Sequence, residues 1–254
     1  MLGEEAKMQA NGPVALLVGA GDAIGAAVAR RFAAEKFQVC VARRDATKAQ
    51  KLIDEVSAAG GSVRAFSVDA RQEGEIQALF AAVERDVGPI EVCLYNAGSN
   101  VNTPLVETTG TLFRKAWELA CYGGFLTGRE AARHMVPRGH GTILFTGATA
   151  SMRGGPGFAA FASAKFGLRA VAQSMARELG PKNIHVAHLV IDGGVDSEAI
   201  RKRMRARLGD AVDSLPPDSL IQTRAIADAY WTLHTQPRSG WTHELDLRTS
   251  VERW

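Results

Sequence analysis

Residues 14–35 read VALLVGAGDAIGAAVARRFAAE. An apolar run enters a glycine-rich turn, and an amphipathic segment follows with Ile24, Val28 and Phe32 on one face. Strand, tight turn and helix make the opening of a βα unit, and the rhythm then repeats. FQVCVA (37–42), VRAFSVD (63–69), IEVCLYNAG (90–98), GTILFTGA (141–148) and IHVAHLVI (184–191) read as further strands. KAQKLIDEVSAAG (48–60), closed by Gly60 and Gly61, and EIQALFAAVERDVG (75–88) read as helices between them. Apolar strands joined by helices imply a parallel sheet covered on both faces. The expected fold class is therefore α/β, a doubly wound parallel sheet in three layers.

The chain has 254 residues, 46% of them hydrophobic, enough for one substantial core. No internal repeat or interdomain linker interrupts it, so a single domain is expected over 13–254, behind a flexible N-terminus at 1–12. The net charge is only +3, with acids and bases interleaved, which argues against a nucleic-acid partner. The basic stretch RKRMRARLG (201–209) reads as a solvated helix face with Ile200, Met204 and Leu208 turned inward; an anion contact is the alternative. Residues 193–222 break the βα rhythm and read as an excursion near a ligand site or an ordinary surface insertion.

The three cysteines, Cys40, Cys93 and Cys121, form no CxxC pair and join no histidine, so neither a disulfide framework nor a metal site is expected. Cys40 and Cys93 sit in apolar runs as small buried hydrophobes. The six histidines show no metal or triad spacing. The N-terminus lacks the pattern of a signal peptide and no apolar run approaches a membrane span, so a cytoplasmic protein with no membrane partner is expected.

In an open parallel sheet, ligands sit beyond the carboxyl ends of the strands. After the first strand comes GAGDAIG, with Gly19, Gly21 and Gly25, where a helix N-terminus can face a pyrophosphate. Ala23 and Ile24 occupy positions where the two common dinucleotide templates want glycine. After the second strand stand Arg43 and Arg44 in place of the acid that would bond an NAD ribose; they suit the 2′-phosphate of NADP, although a pair of surface arginines would read the same in isolation. Asp69 follows the third strand, where it can meet an adenine amino group, and Asn96, Ala97 and Gly98 make a turn after the fourth.

GAGDAIG (19–25), VD (68–69), NAG (96–98), AKFG (164–167) and ARELGPKNIHV (176–186), in this order, resemble the short-chain dehydrogenase/reductase family from about residue 13 to 247. The resemblance implies a Rossmann-type domain, a nicotinamide cofactor (NADP before NAD), a homodimer or homotetramer, and hydride transfer between a small alcohol and its carbonyl. It also implies an Asn-Ser-Tyr-Lys tetrad, and here this chain departs. The lysine is Lys165, but the tyrosine position holds Phe161, the serine position Ala148 and the asparagine position Ala120. Tyrosine to phenylalanine keeps the ring and removes the proton donor. The first expectation is thus an oxidoreductase with an incomplete tetrad; the alternative is a non-catalytic dinucleotide-binding sensor or partner subunit. Lys165 contacts the cofactor on the first reading and reaches solvent on a plainer one. Thr149 is a distant candidate for a substitute hydroxyl, and Tyr122, two residues past Ala120, is expected to point elsewhere. The ending SGWTHELDLRTSVERW is unlike the family's glycine-rich close, and Trp231, Trp241 and Trp254 would bury a subunit interface, close a pocket or simply pack.

Overall fold

The structure, a computed structural model, describes residues 12–216 and 218–252. The expected flexible start lies outside them except for Gly12, and so does Trp254. In chain order the main elements are β1 (Val14–Val18), α1 (Ile24–Ala34), β2 (Gln38–Arg43), α2 (Gln50–Ala58), β3 (Ser62–Ser67), α3 (Glu73–Asp86) and β4 (Ile90–Tyr95). There follow α4 (Gly110–Trp117), a π-helical turn over Glu118–Tyr122, α5 (Gly123–Arg138), β5 (Thr142–Thr146), α6 (Ala159–Leu179), β6 (His185–Asp192), α7 (Glu198–Leu208), α8 (Thr223–His234) and β7 (Glu244–Arg248).

The seven strands are all parallel, in the order β3-β2-β1-β4-β5-β6-β7. This is a Rossmann-type doubly wound sheet. Its order reverses between β1 and β4, and the crevice at such a reversal is where ligands settle. The apolar run of β1 serves two cores at once. Ala15 and Leu17 face the layer built with α1, α2 and α8, while Val14, Leu16 and Val18 face the layer built with α3, α5 and α6. A strand covered on both sides cannot alternate apolar with polar residues, hence VALLV. Val28 and Phe32 of α1 are fully buried, as their spacing predicts, while Ile24 is half-buried at the cleft rim.

The structure departs from the sequence reading at two points. β7 was not foreseen. ELDLR pairs in parallel with β6 as an edge strand, and edge exposure lets charged residues hold alternate positions, which hides the apolar signal. Leu208 is exposed rather than inward, at the last residue of α7, where Arg201 and Arg205 are drawn to Asp196 and Asp213. Of the three readings of the tryptophans, Trp231 and Trp241 follow the plainest and pack within their own chain. Trp231 sits edge-on to Phe32 and Phe37 with Arg31 over its face, and Trp241 stacks on His185.

Candidate active-site cleft

At the carboxyl ends of the strands lies an open cleft of about 1520 Å³. Gly19, Gly21, Ala23 and Ile24 from the first turn line it, as do Arg43, Arg44 and Asp69 from the next two strand ends. Asn96, Ala97, Gly98, Ala148, Phe161 and Lys165 complete that wall. Of the glycine-turn and tetrad positions, Gly25 and Ala120 stay off the cleft surface. Gly25 is buried against Ala20, where a Cβ would come 2.5 Å from Ala20 Cα. Ala120 is buried in the π-helical turn, whose extra residue per turn marks the joint between α4 and α5.

Gly19 is required twice over. Its φ is +85°, and a side chain there would overlap the Ala97 backbone. Gly21 has nothing within 4 Å of the place a Cβ would take. That space opens into the cleft in front of α1. The helix begins at Ala23 with no side-chain cap and no acid in its first turn, so its N–H donors and positive dipole end remain available to an anion. A dinucleotide pyrophosphate fits this arrangement.

Arg43 Nη1 donates to Asp22 Oδ1 at 2.6 Å and reaches the Lys48 carbonyl at 3.5 Å. Arg30, unremarked in the sequence, also lines the cleft and forks onto Glu55 at 2.6 and 3.1 Å. Asp69 is gripped by Arg71, with Nε at 2.9 and 3.1 Å from its two oxygens, and this hydrogen bond holds its carboxyl below the usual range.

The strand ends are joined by hydrogen bonds. Asn96 donates from its backbone to the Val18 carbonyl at 2.8 Å and from Nδ2 to the Gly19 carbonyl at 3.1 Å. Its Oδ1 accepts from the Thr146 hydroxyl at 3.0 Å. That hydroxyl has one proton, so its 2.7 Å contact with the buried Tyr230 hydroxyl must be donated by Tyr230. The Thr146 carbonyl in turn accepts from Lys165 Nζ at 2.8 Å.

Lys165 is only 5% exposed, so it does not reach for solvent. Its ammonium lies beneath Gly98 and 5.9 Å from the centre of the Phe161 ring. Burial pulls its pKa down to about 8, since a desolvated ammonium is disfavoured. Among the described residues no carboxylate pairs with it. Thr149 is not a free hydroxyl, because Oγ1 donates to Asp192 Oδ1 at 2.7 Å. Asp192, fully buried, also receives Arg153 at 3.1 and 3.2 Å and Arg248 at 3.3 Å. Burial works to raise its pKa, but the Thr149 hydroxyl and the two guanidiniums hold it below the usual range. Tyr122 turns away from the cleft, its ring stacked between those of Trp117 and Phe125.

A glycine turn, a strand-end asparagine and a buried lysine thus share one crevice at the sheet reversal. The model of the short chain dehydrogenase family matches residues 13–207. The chain belongs to that family. It is 50% identical to a short-chain dehydrogenase from Rhodopseudomonas palustris of known structure, over 93% of this chain and 98% of that one, with a TM-score of 0.79. It is 32% identical to a short-chain dehydrogenase/reductase of Armillaria gallica over 69% of this chain and 68% of that protein. Actinorhodin polyketide ketoreductase, solved with NADPH, shares the fold at 24% identity and a TM-score of 0.85, over 95% of this chain and 98% of that one.

Within this short-chain dehydrogenase the sequence missed Asp192, Arg153 and Tyr230. Arg153 lies in a loop-like stretch with no motif, Asp192 stands at the very end of β6 where no partner is visible in the sequence, and Tyr230 reads as one more apolar position on α8. Among the described residues no three His, Cys, Asp or Glu gather as a metal site, and no helix is long and apolar enough to cross a membrane.

Proposed function

We propose that this short-chain dehydrogenase binds NADP(H) in preference to NAD(H) and interconverts a small carbonyl compound with its alcohol, using an incomplete tetrad. The observation that carries the reading is Lys165, buried in the cleft wall and held on the Thr146 carbonyl beside an uncapped helix end. A buried ammonium with one acceptor has hydrogen-bonding capacity left for ribose hydroxyls. Arg43 and Arg44 at the end of β2, with Arg30 across the turn, supply cations where a 2′-phosphate would lie. The ketoreductase solved with NADPH is a fold-level parallel.

Bound in this cleft, the nicotinamide would supply or accept the hydride. The residues of this chain would do the rest. Gly19, Gly21 and the N-terminus of α1 would receive the pyrophosphate, Asn96 braces the turn, and Lys165 would hold the ribose and is the one ionisable tetrad group that remains. With Phe161 and Ala148 in place of hydroxyls, the proton must come from Lys165 or water, and removal of a positioned acid typically slows such a step by about 10²–10⁴. Substrates whose product anion is already stabilised need the missing acid least. We further propose a cytoplasmic homodimer or homotetramer, supported by the exposed Phe113, Trp117 and Phe166.

The deciding experiment is an equilibrium titration with NADPH and NADH, read by nicotinamide fluorescence. Tighter binding of NADPH supports the reading. Absence of binding by either at millimolar concentration overturns it and turns the search to protein partners.

A further inference from the structure

Lys165 stands in an unusual setting for a lysine. The residue lines a cleft large enough for a small molecule, with its nitrogen against Gly98, yet it is 5% exposed. Its hydrogen-bond partner among the described residues is a main-chain carbonyl, which cannot take its proton. Phe161 and Ala148 place carbon, not oxygen, on the neighbouring cleft wall. Phe158 lies 6.4 Å from Phe161, ring centre to ring centre, and extends that apolar wall. His188, on the strand beneath, is itself fully buried and burial pushes its pKa down to about 4, so it adds no charge at neutral pH.

A lysine desolvated in an apolar pocket is the setting that turns an ammonium into a nucleophilic amine. We propose that Lys165 is an imine-forming nucleophile, condensing in the nucleotide-free cleft with an unhindered aldehyde or ketone of apolar body. The neutral Nζ adds to the carbonyl carbon as the C=O π bond breaks onto oxygen, and a proton passes from the nitrogen to that oxygen to give the carbinolamine. A second proton on that oxygen lets water leave, and the nitrogen lone pair closes the protonated imine. One amine, one carbonyl and one proton become one iminium and one water, with no oxidant or reductant consumed. The lowered pKa of Lys165 supports the chemistry. About a tenth of the amine is neutral at pH 7, against about one part in 3,000 for an ordinary lysine.

This inference does not rest on the cofactor reading. Ribose and imine would compete for the same nitrogen, so the two states exclude each other, and either can fail alone.

The test uses the full-length protein without nucleotide, benzaldehyde as the carbonyl probe and cyanoborohydride to reduce the imine to a stable benzylamine. Peptide mass mapping then reads each lysine. The expected result is one benzyl group per chain at Lys165, formed at least about tenfold faster than at any other lysine, as a desolvated amine should react. Lys165→Arg and Lys165→Met, checked for folding by circular dichroism, should lose it. An unlabelled Lys165, or label spread over the surface lysines at equal rates, overturns the proposal. The wild-type map decides the matter even if both variants fail to fold.

Discussion

The Lys165 ammonium and the Thr146 carbonyl oxygen stand 2.8 Å apart at the end of β5, and the same threonine's hydroxyl joins Asn96 to Tyr230. One residue therefore holds the tetrad cation with its backbone and the glycine-turn brace with its side chain. Thr146→Val keeps the first contact and removes the second. The buried Tyr230 hydroxyl and Asn96 Oδ1 each lose a partner, which should cost about 1–3 kcal/mol, since an unmade buried hydrogen bond carries its desolvation penalty. Urea unfolding should show a lower midpoint at unchanged slope.

Gly19→Ala and Gly21→Ala should part company. The first forces a side chain into the Ala97 backbone at a φ of +85°, and should destabilise the fold by about 1–3 kcal/mol or more. The second meets open space, so thermal stability should hold within about 0.5 kcal/mol. If the cleft takes a pyrophosphate there, Gly21→Ala should weaken NADPH binding while melting normally. Melting curves and a fluorescence titration of both variants check this.

Arg43→Ala removes a guanidinium that Asp22 already holds at the mouth of the cleft. The ratio of NADPH to NADH affinity should fall by about tenfold, or roughly 1.4 kcal/mol. An unchanged ratio would remove the structural basis for NADP preference.

Phe161→Tyr with Ala148→Ser returns two hydroxyls to the cleft wall without changing backbone shape. Carbonyl-dependent NADPH oxidation across a substrate panel should rise by at least about tenfold, the low end of what a positioned acid contributes. The single changes should give less than their pair, because residues that act as a unit are not additive.

Acid should destabilise the protein through its buried imidazoles. Burial depresses His188 and His234 to about 4, so the folded state keeps them neutral while the unfolded chain protonates them near pH 6.5. The unfolded state then binds more protons, and stability, complete above about 6.5, is lost as pH falls toward about 4. Urea midpoints at pH 8, 6 and 4.5 should descend in that order. His188→Asn should flatten the fall.

The fold was legible because its signal is repetitive. Leu16 and Leu17 face opposite cores, and such two-sided burial forces the apolar runs that mark β1, β2, β4, β5 and β6, while the edge strand β3 was found from its place in the βα rhythm. β7 escaped because Glu244 and Arg248 serve ion pairs with Arg169 and Asp192, so the edge strand does not look apolar. Cleft residues that follow a strand end directly, such as Asn96 and Arg43, could be placed by counting. Asp192 also ends a strand, but its burial is explained by Thr149, Arg153 and Arg248 side chains that reach it from elsewhere in the chain, and Tyr230 acquires its role from Thr146, 84 residues away.

The chain of hydrogen bonds from Tyr230 through Thr146 and Asn96 to the Gly19 carbonyl runs from α8 to the glycine turn of the cleft. Linkage makes such a connection reciprocal: whatever free energy a bound ligand gains from an ordered Gly19 turn returns as added protection of α8 against opening. Amide hydrogen exchange along α8, which reaches the cleft at its first residue Thr223, should therefore report occupancy of the crevice as far along the helix as Tyr230.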